Sequence, residues 1–385
     1  MKQINRKLFF AAMAATALAS CTNDDLVEVN QGEGIAFRAS LDKALTRGTT
    51  TNLQNLNAFN VTAFGQGEAN NYFTNMPVTS DDQGKNWKTG ATYYWPGFDL
   101  KFFAYAPQDL ENVSISKNAQ TITDFAPVQT VKSQKDLLVS YNTGNKNNNE
   151  ANGVAMNFKH ALSQIEVKAK CSNEKIKIEV IGLKMVNAAA KANFAFPNAE
   201  TNTVYKLEQG QWRDWTDKDN HDKAYMIKDK GNKVTLTKNA QSLMFGEGGM
   251  MLIPQQLTAW NGTASKTGAY LSVLCRIYSL DNGNETLLYP RPAAGDNKDN
   301  KYAFSAVAIS TNWEPGKKYI YTLNFCGENG GAGEIDPNPT NPVDPTDPDV
   351  EEKPGTGGEE ILGKPISFTV TVDEWTDQTE DVEMK

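Results

Sequence analysis

Strict alternation of apolar and polar residues recurs along this chain. Ile176, Ile178 and Val180 are separated by Lys177 and Glu179, and Ile366, Phe368, Val370 and Val372 by Ser367, Thr369 and Thr371. A period of two puts one set of side chains on each face of an extended strand. Runs of the same kind at 34–41, 56–64, 100–106, 136–141, 161–169, 270–278 and 319–325 predict further strands. Clusters of Asn, Gly and Asp stand between them, as at 142–149 and 281–284. The second of these joins two apolar runs and predicts a hairpin loop. After the first 20 residues no stretch carries the period of a helix of 12 or more residues; the alanine-rich 186–195 is interrupted by asparagines. Many short strands set apart by turns predict an all-β protein built of sandwiches.

The order of features predicts two such sandwiches. Trp87 is followed by Tyr94-Trp95-Pro96 and an apolar run at 100–105. Trp215 is followed by Leu252-Ile253-Pro254 and an apolar run at 271–274. A break near the Asn-rich loop gives an N-terminal sandwich over 48–152 and a C-terminal one over 153–326. The composition then changes. Residues 334–353 hold five prolines and seven acidic residues, too little apolar surface to pack, and are expected to be extended and solvated. The segment 327–365 thus reads as an acidic Pro/Gly-rich linker, leading to a single strand and tail over 366–385.

The first 20 residues read as an address. Lys2, Arg6 and Lys7 form a positive n-region, and residues 8–19 a short apolar stretch ending in Leu18-Ala19-Ser20 before Cys21. Spanning a bilayer takes ~20 apolar residues, so this segment reads as a signal peptide rather than a membrane span. Small residues before a cysteine at this distance resemble a bacterial lipobox, which makes Cys21 the site of cleavage and acylation. Two or three acyl chains give stable anchoring where one is marginal. Residues 21–47 then form a propeptide that carries the first strand.

Charge and composition narrow the chemistry. With 38 basic and 46 acidic residues the chain carries −8, which disfavours nucleic acid as a partner. Its two histidines, His160 and His221, leave little for a metal site or a catalytic triad. His160 reads as a packed structural residue. The carboxylate-rich 214–222 lacks the glycine of a calcium loop and reads as solvated. Gly246-Glu247-Gly248-Gly249 lacks the lysine of a phosphate loop and reads as a turn. Trp87, Trp95, Trp313 and Trp375 read as core or corner residues rather than a sugar platform. No catalytic residue, metal ligand or cofactor is assigned. Besides Cys21 there are Cys171, Cys275 and Cys326; each lies in an apolar or alternating run and reads as a buried thiol, with a Cys275–Cys326 disulfide as the alternative.

A strand on a tether can complete a sheet in its own chain or in another, the mode called β-strand addition. Ile366, Phe368, Val370 and Val372 would fill successive pockets, with Trp375 at the end of the run. A groove for them needs a strand removed elsewhere. The flexible polar stretch Thr46-Arg47-Gly48-Thr49 follows the first strand and suits proteolysis. Cutting between Arg47 and Gly48 detaches both that strand and the lipid anchor.

These residues together resemble the fimbrillin family, subunits of type V pili in Gram-negative anaerobes. The resemblance rests on Cys21, Thr46-Arg47, Trp87 with Tyr94-Trp95-Pro96, 102–107 (Phe-Phe-Ala-Tyr-Ala-Pro), and His160-Ala161-Leu162. It continues through 251–255 (Met-Leu-Ile-Pro-Gln), Trp313 with Gly316-Lys317-Lys318-Tyr319, and 368–375. It implies two tandem transthyretin-like β-sandwiches, lipoprotein export to the outer membrane through Cys21, and processing at Arg47. It further implies a structural or adhesive role in a cell-surface fimbrium, with other fimbrial subunits, and host or bacterial surface ligands, as partners. A surface lipoprotein that binds glycans without polymerising is the alternative, and a secreted hydrolase finds no motif to support it.

Overall fold

A computed structural model describes residues 33–41, 55–65, 67–197, 207–220, 223–262, 266–291, 301–327, 331–339 and 349–375. The described chain is nearly all β, in four sheets.

The first sheet has seven strands. Its order is Phe37–Leu41, Val154–His160, Leu138–Gly144, Leu100–Ala106, Ala58–Gly65, Asn71–Thr79 and Lys88–Thr89. Leu100–Ala106 shows why its sequence is so uniformly apolar. Leu100, Phe102 and Ala104 enter one core with Phe59, Val61 and Phe158, while Phe103 and Tyr105 enter another with Ile122, Phe194 and Trp212. A strand covered on both faces has no polar side to alternate with.

The break expected near 142–153 falls inside this sheet. Leu138–Gly144 and Val154–His160 are antiparallel neighbours, and Lys146–Asn149 is a single helical turn between them, capped by the Asn145 side chain. The chain leaves the sheet only after His160. A four-stranded sheet then ties early and late sequence together: Val113–Ile115 and Gln120–Phe125 join Lys191–Ala195 and Trp212–Thr216.

The remaining two sheets enclose the largest core. One runs Gln241–Ser242, Ser163–Cys171, Lys317–Phe325 and Ser367–Glu374, with Met250–Leu252 also on Ser163–Cys171. The other runs Tyr225–Lys228, Ile176–Val186, Tyr270–Asp281, Ala303–Ala308 and Glu334–Ile335. Ile165, Val167, Tyr321 and Leu323 from the first meet Val180, Leu183, Val273 and Cys275 from the second. The hairpin expected at 281–284 is present: Asp281 pairs with Asn284 around Asn282 and Gly283, whose φ values of 48° and 86° suit a tight two-residue turn.

The described ends of the stretch 334–353, residues 334–339 and 349–353, depart from their expected solvation. Glu334–Ile335 adds a short strand beside Ala303–Ala308, and Ile335 and Asp336 are buried. Val350 bridges to Tyr302 and packs with Ile181, Leu274 and Phe304. The physical reason lies in the sheet beneath. Its outer face carries Ile181, Leu274, Phe304 and Lys184, so it needs both an apolar cover and a carboxylate. Asp336 supplies the latter: Lys184 Nζ lies 2.8 Å from its Oδ2 with both side chains fully buried. Tyr270 and Ser272 hydroxyls donate to the same carboxylate at 3.0 and 2.6 Å.

Candidate assembly site

Two edge strands are the candidate sites of assembly. Phe37–Leu41 lies at the rim of the first sheet, parallel to Val154–His160, with Phe37 opposite Val154 and Leu41 opposite Phe158. It is held just outside the ladder as well: Ile35 N–H donates to the Tyr93 carbonyl at 2.7 Å, and Val154 N–H to that of Ala36 at 2.8 Å. Gly153, at φ 69°, permits this approach, since a Cβ there would sit 3.0 Å from the Ala36 oxygen. The alternation works as a set of plugs. Ile35 and Phe37 are 3% and 6% exposed, Ala39 and Leu41 are half-buried against the same core, and Ala36, Arg38 and Ser40 face outward. The Phe37 ring meets Phe102 edge-on at 5.7 Å.

The last strand lies at the rim of another sheet. Ser367–Glu374 runs antiparallel to Lys317–Phe325 of its own chain, from Ser367 opposite Asn324 to Glu374 opposite Lys317. Its two ends are well held. Ile366 is buried in the largest core, and Trp375 is buried under the first sheet, with its N–H donating to the Gly316 carbonyl at 2.9 Å. Its middle is not. Phe368 and Val370 are half-buried, and Val372 is 52% exposed. The strand is anchored at both ends and loosely covered between them.

Set side by side, the two strands share one pattern. Ile35, Phe37, Ala39 and Leu41 stand at every second position, and so do Ile366, Phe368, Val370 and Val372. Both begin Ile-x-Phe and continue with aliphatic residues. The first set is the better covered of the two.

Cys21, Arg47 and Gly48 lie outside the described residues. Ile366, Phe368, Val370, Val372 and Trp375 are brought onto one strand and its end. His160, read as structural, is buried; its Nδ1 is 2.6 Å from Asp136 Oδ2 and its ring stacks on Trp375. Trp95, Trp313 and Trp375 are buried and Trp87 is half-buried against Phe59, so none forms an open platform. Of the described carboxylates of 214–222, Asp214 accepts the Asn193 amide at 2.9 Å, Asp217 the Asn220 amide at 3.4 Å, and Asp219 the Gly268 N–H at 2.7 Å; His221 and Asp222 lie outside the described residues. Asp219 also borders a polar cavity of about 430 Å³ with Asn187, Lys218, Gln256 and Thr258. No cluster of three potential metal ligands occurs among the described residues.

Sequence reasoning missed the Lys184–Asp336 pair. The signal was a lysine inside Ile181-Gly182-Leu183-Lys184-Met185-Val186, where burial pushes the amine down and the Asp336 carboxylate offsets only part of that.

Two edge strands of matching alternation thus lie on an all-β scaffold of four sheets. A family described as fimbrillin-like matches residues 46–337, and the chain belongs to that family. Several solved structures are similar in fold. One is a fimbrial protein from Bacteroides vulgatus, 15% identical, covering 90% of this chain and 100% of its own, with a TM-score of 0.49. Another is a candidate cell adhesion protein from Bacteroides eggerthii, 14% identical, covering 90% and 98%, with a TM-score of 0.45. A third, with the same description, is from Parabacteroides distasonis: 12% identical, covering 88% and 98%, TM-score 0.45. No curated protein matches the sequence.

Proposed function

We propose that this fimbrillin-like chain is a fimbrial subunit made as an outer-membrane lipoprotein, anchored by acylation of Cys21 and released for assembly by cleavage between Arg47 and Gly48. Cleavage frees the segment that holds Ile35 and Phe37 at the rim of the first sheet. The rim left behind, lined by Phe102, Val154, Met156 and Phe158, then takes a strand from another subunit, of the same or an accessory kind. The donor is the terminal strand, with Ile366, Phe368, Val370 and Val372 as plugs and Trp375 closing the run.

One observation carries this reading: the shared alternation of the two edge strands, with the terminal set less covered where it lies than the first set is. Fully burying a large aliphatic or aromatic side chain contributes about 1.5–3 kcal/mol. Moving half-exposed plugs into a dry groove therefore offers a gain to offset the release of the strand from its own sheet.

The test is assembly of a variant. Phe368→Asp with Val370→Asp places two charges at plug positions on a strand whose middle is already open to water. Export and folding are expected to persist while heat-sensitive multimers vanish from unheated gels of surface material. Multimers at the normal level would remove the donor role. Mass spectrometry of the same wild-type material reads the N-terminus: Gly48 supports processing, and acylated Cys21 in polymerised protein contradicts it.

A further inference from the structure

Three cysteines lie among the described residues, and all are buried. Cys275 sits mid-strand in Tyr270–Asp281 with no exposure. Cys171 ends the strand Ser163–Cys171, and Cys326 directly follows Lys317–Phe325. Those two strands are parallel neighbours with Cys171 opposite Phe325, so Cys326 is one residue past the partner of Cys171. Cys326 has a left-handed φ of 49°, and its N–H donates to the Gly331 carbonyl at 2.7 Å. This turn ends the strand beside Cys171, and both cysteine side chains are buried in the same core.

We propose that Cys171 and Cys326 are a disulfide-forming pair, closed by a disulfide oxidant, and that Cys275 stays a free thiol. The pairing differs from the Cys275–Cys326 alternative open in the sequence, and it does not depend on how the chain assembles. Neighbouring parallel strands place the two Cα atoms within the range a disulfide spans.

The chemistry is asymmetric in a useful way. The neighbouring Cys326 thiol lowers that of Cys171, whereas the same contact, with burial, pushes Cys326 up. Cys171 is therefore the attacking thiolate. Its sulfur bonds to one sulfur of the oxidant's disulfide, and the other sulfur leaves as a thiolate. Cys326 then gives up its proton and attacks the Cys171 sulfur. The second sulfur of the oxidant leaves, so the oxidant ends as two thiols and the protein holds one S–S bond. Cys275 takes no part, since burial alone pushes its thiol far up. The bond fastens Lys317–Phe325, the strand on which the terminal strand lies, to Ser163–Cys171 at the point where the chain turns away.

The experiment holds the purified full chain with oxidised glutathione, denatures it, alkylates it without reductant and maps the peptides. The expected result is alkylated Cys275 and a linked Cys171–Cys326 peptide that disappears on reduction. Cys275→Ser should retain the link, and Cys171→Ser should abolish it without creating a Cys275–Cys326 bond. Alkylation of both Cys171 and Cys326 in the wild type, or a link that includes Cys275, overturns the proposal. Wild type alone decides the matter if a variant does not fold.

Discussion

The rings of His160 and Trp375 stack at 4.0 Å with 11° between their planes. One residue ends a strand of the first sheet and the other follows the last strand of the chain, so this contact sews the C-terminal strand to the N-terminal sheet. The indole N–H of Trp375 makes no hydrogen bond among the described residues, which leaves packing as the source of the side chain's hold, beside the backbone bond to Gly316. Trp375→Ala is expected to cost about 3–5 kcal/mol. Urea denaturation reads the loss, and hydrogen exchange is expected to quicken across Ser367–Glu374 first.

The buried Lys184–Asp336 pair makes a different prediction. Lys184→Met strands a carboxylate that only Tyr270, Ser272 and the Asn338 N–H still meet. Breaking one half of a buried pair costs about 3–5 kcal/mol, whereas replacing both halves with apolar residues is often neutral. Lys184→Met with Asp336→Leu should therefore be more stable than Lys184→Met alone. Chemical denaturation of the three proteins checks the order.

Glu179 gives the protein an acid limit. Burial would raise its carboxyl, but hydrogen bonds and charge from Lys233 and Lys177 outweigh it and hold the group at about 2. In an unfolded chain a glutamate titrates near ~4.3. The folded value is the lower one, so the contribution is complete above about 4.3 and is lost as pH falls toward 2. Glu179→Gln should flatten the fall in melting temperature over that window, while lowering stability at neutral pH.

The hairpin turn offers a small and clean effect. Gly283 has φ 86° with nothing near its missing side chain, so Gly283→Ala pays only for backbone conformation. A loss of roughly 1–2 kcal/mol is expected, seen as a lower melting temperature with unchanged assembly.

Much of the strand content was legible because the alternation is local. Residues 100–106, 270–278 and 319–325 each lie on a single observed strand, and the Asn282-Gly283 turn sits where its residues demand it. What stayed hidden depends on distant partners. Nothing near Asp336 announces that a lysine 152 positions earlier will meet it, so a proline-rich acidic stretch looked free of contacts. The Asn-rich loop at 142–149 looked like a boundary because loops between strands and loops between domains share one composition. In the candidate site, the alternation of apolar positions along both strands was readable from spacing alone. Their unequal coverage was not, because it depends on which sheet each strand edges.

The sheet that mixes early and late strands has a mechanical meaning. Gln120–Phe125 and Lys191–Ala195 pair through Thr121 with Ala195, Ile122 with Phe194 and Phe125 with Ala192. Tension applied between the first edge strand and the last runs from Val154–His160 through Ala161 and Leu162 straight into Ser163–Cys171 and on to Lys317–Phe325, so this seam lies beside the load path and braces it. Its backbone bonds, backed by Phe194 and Trp212, hold the two ends of that short link in one orientation. A subunit braced in this way is expected to behave as one stiff link in the proposed fibre.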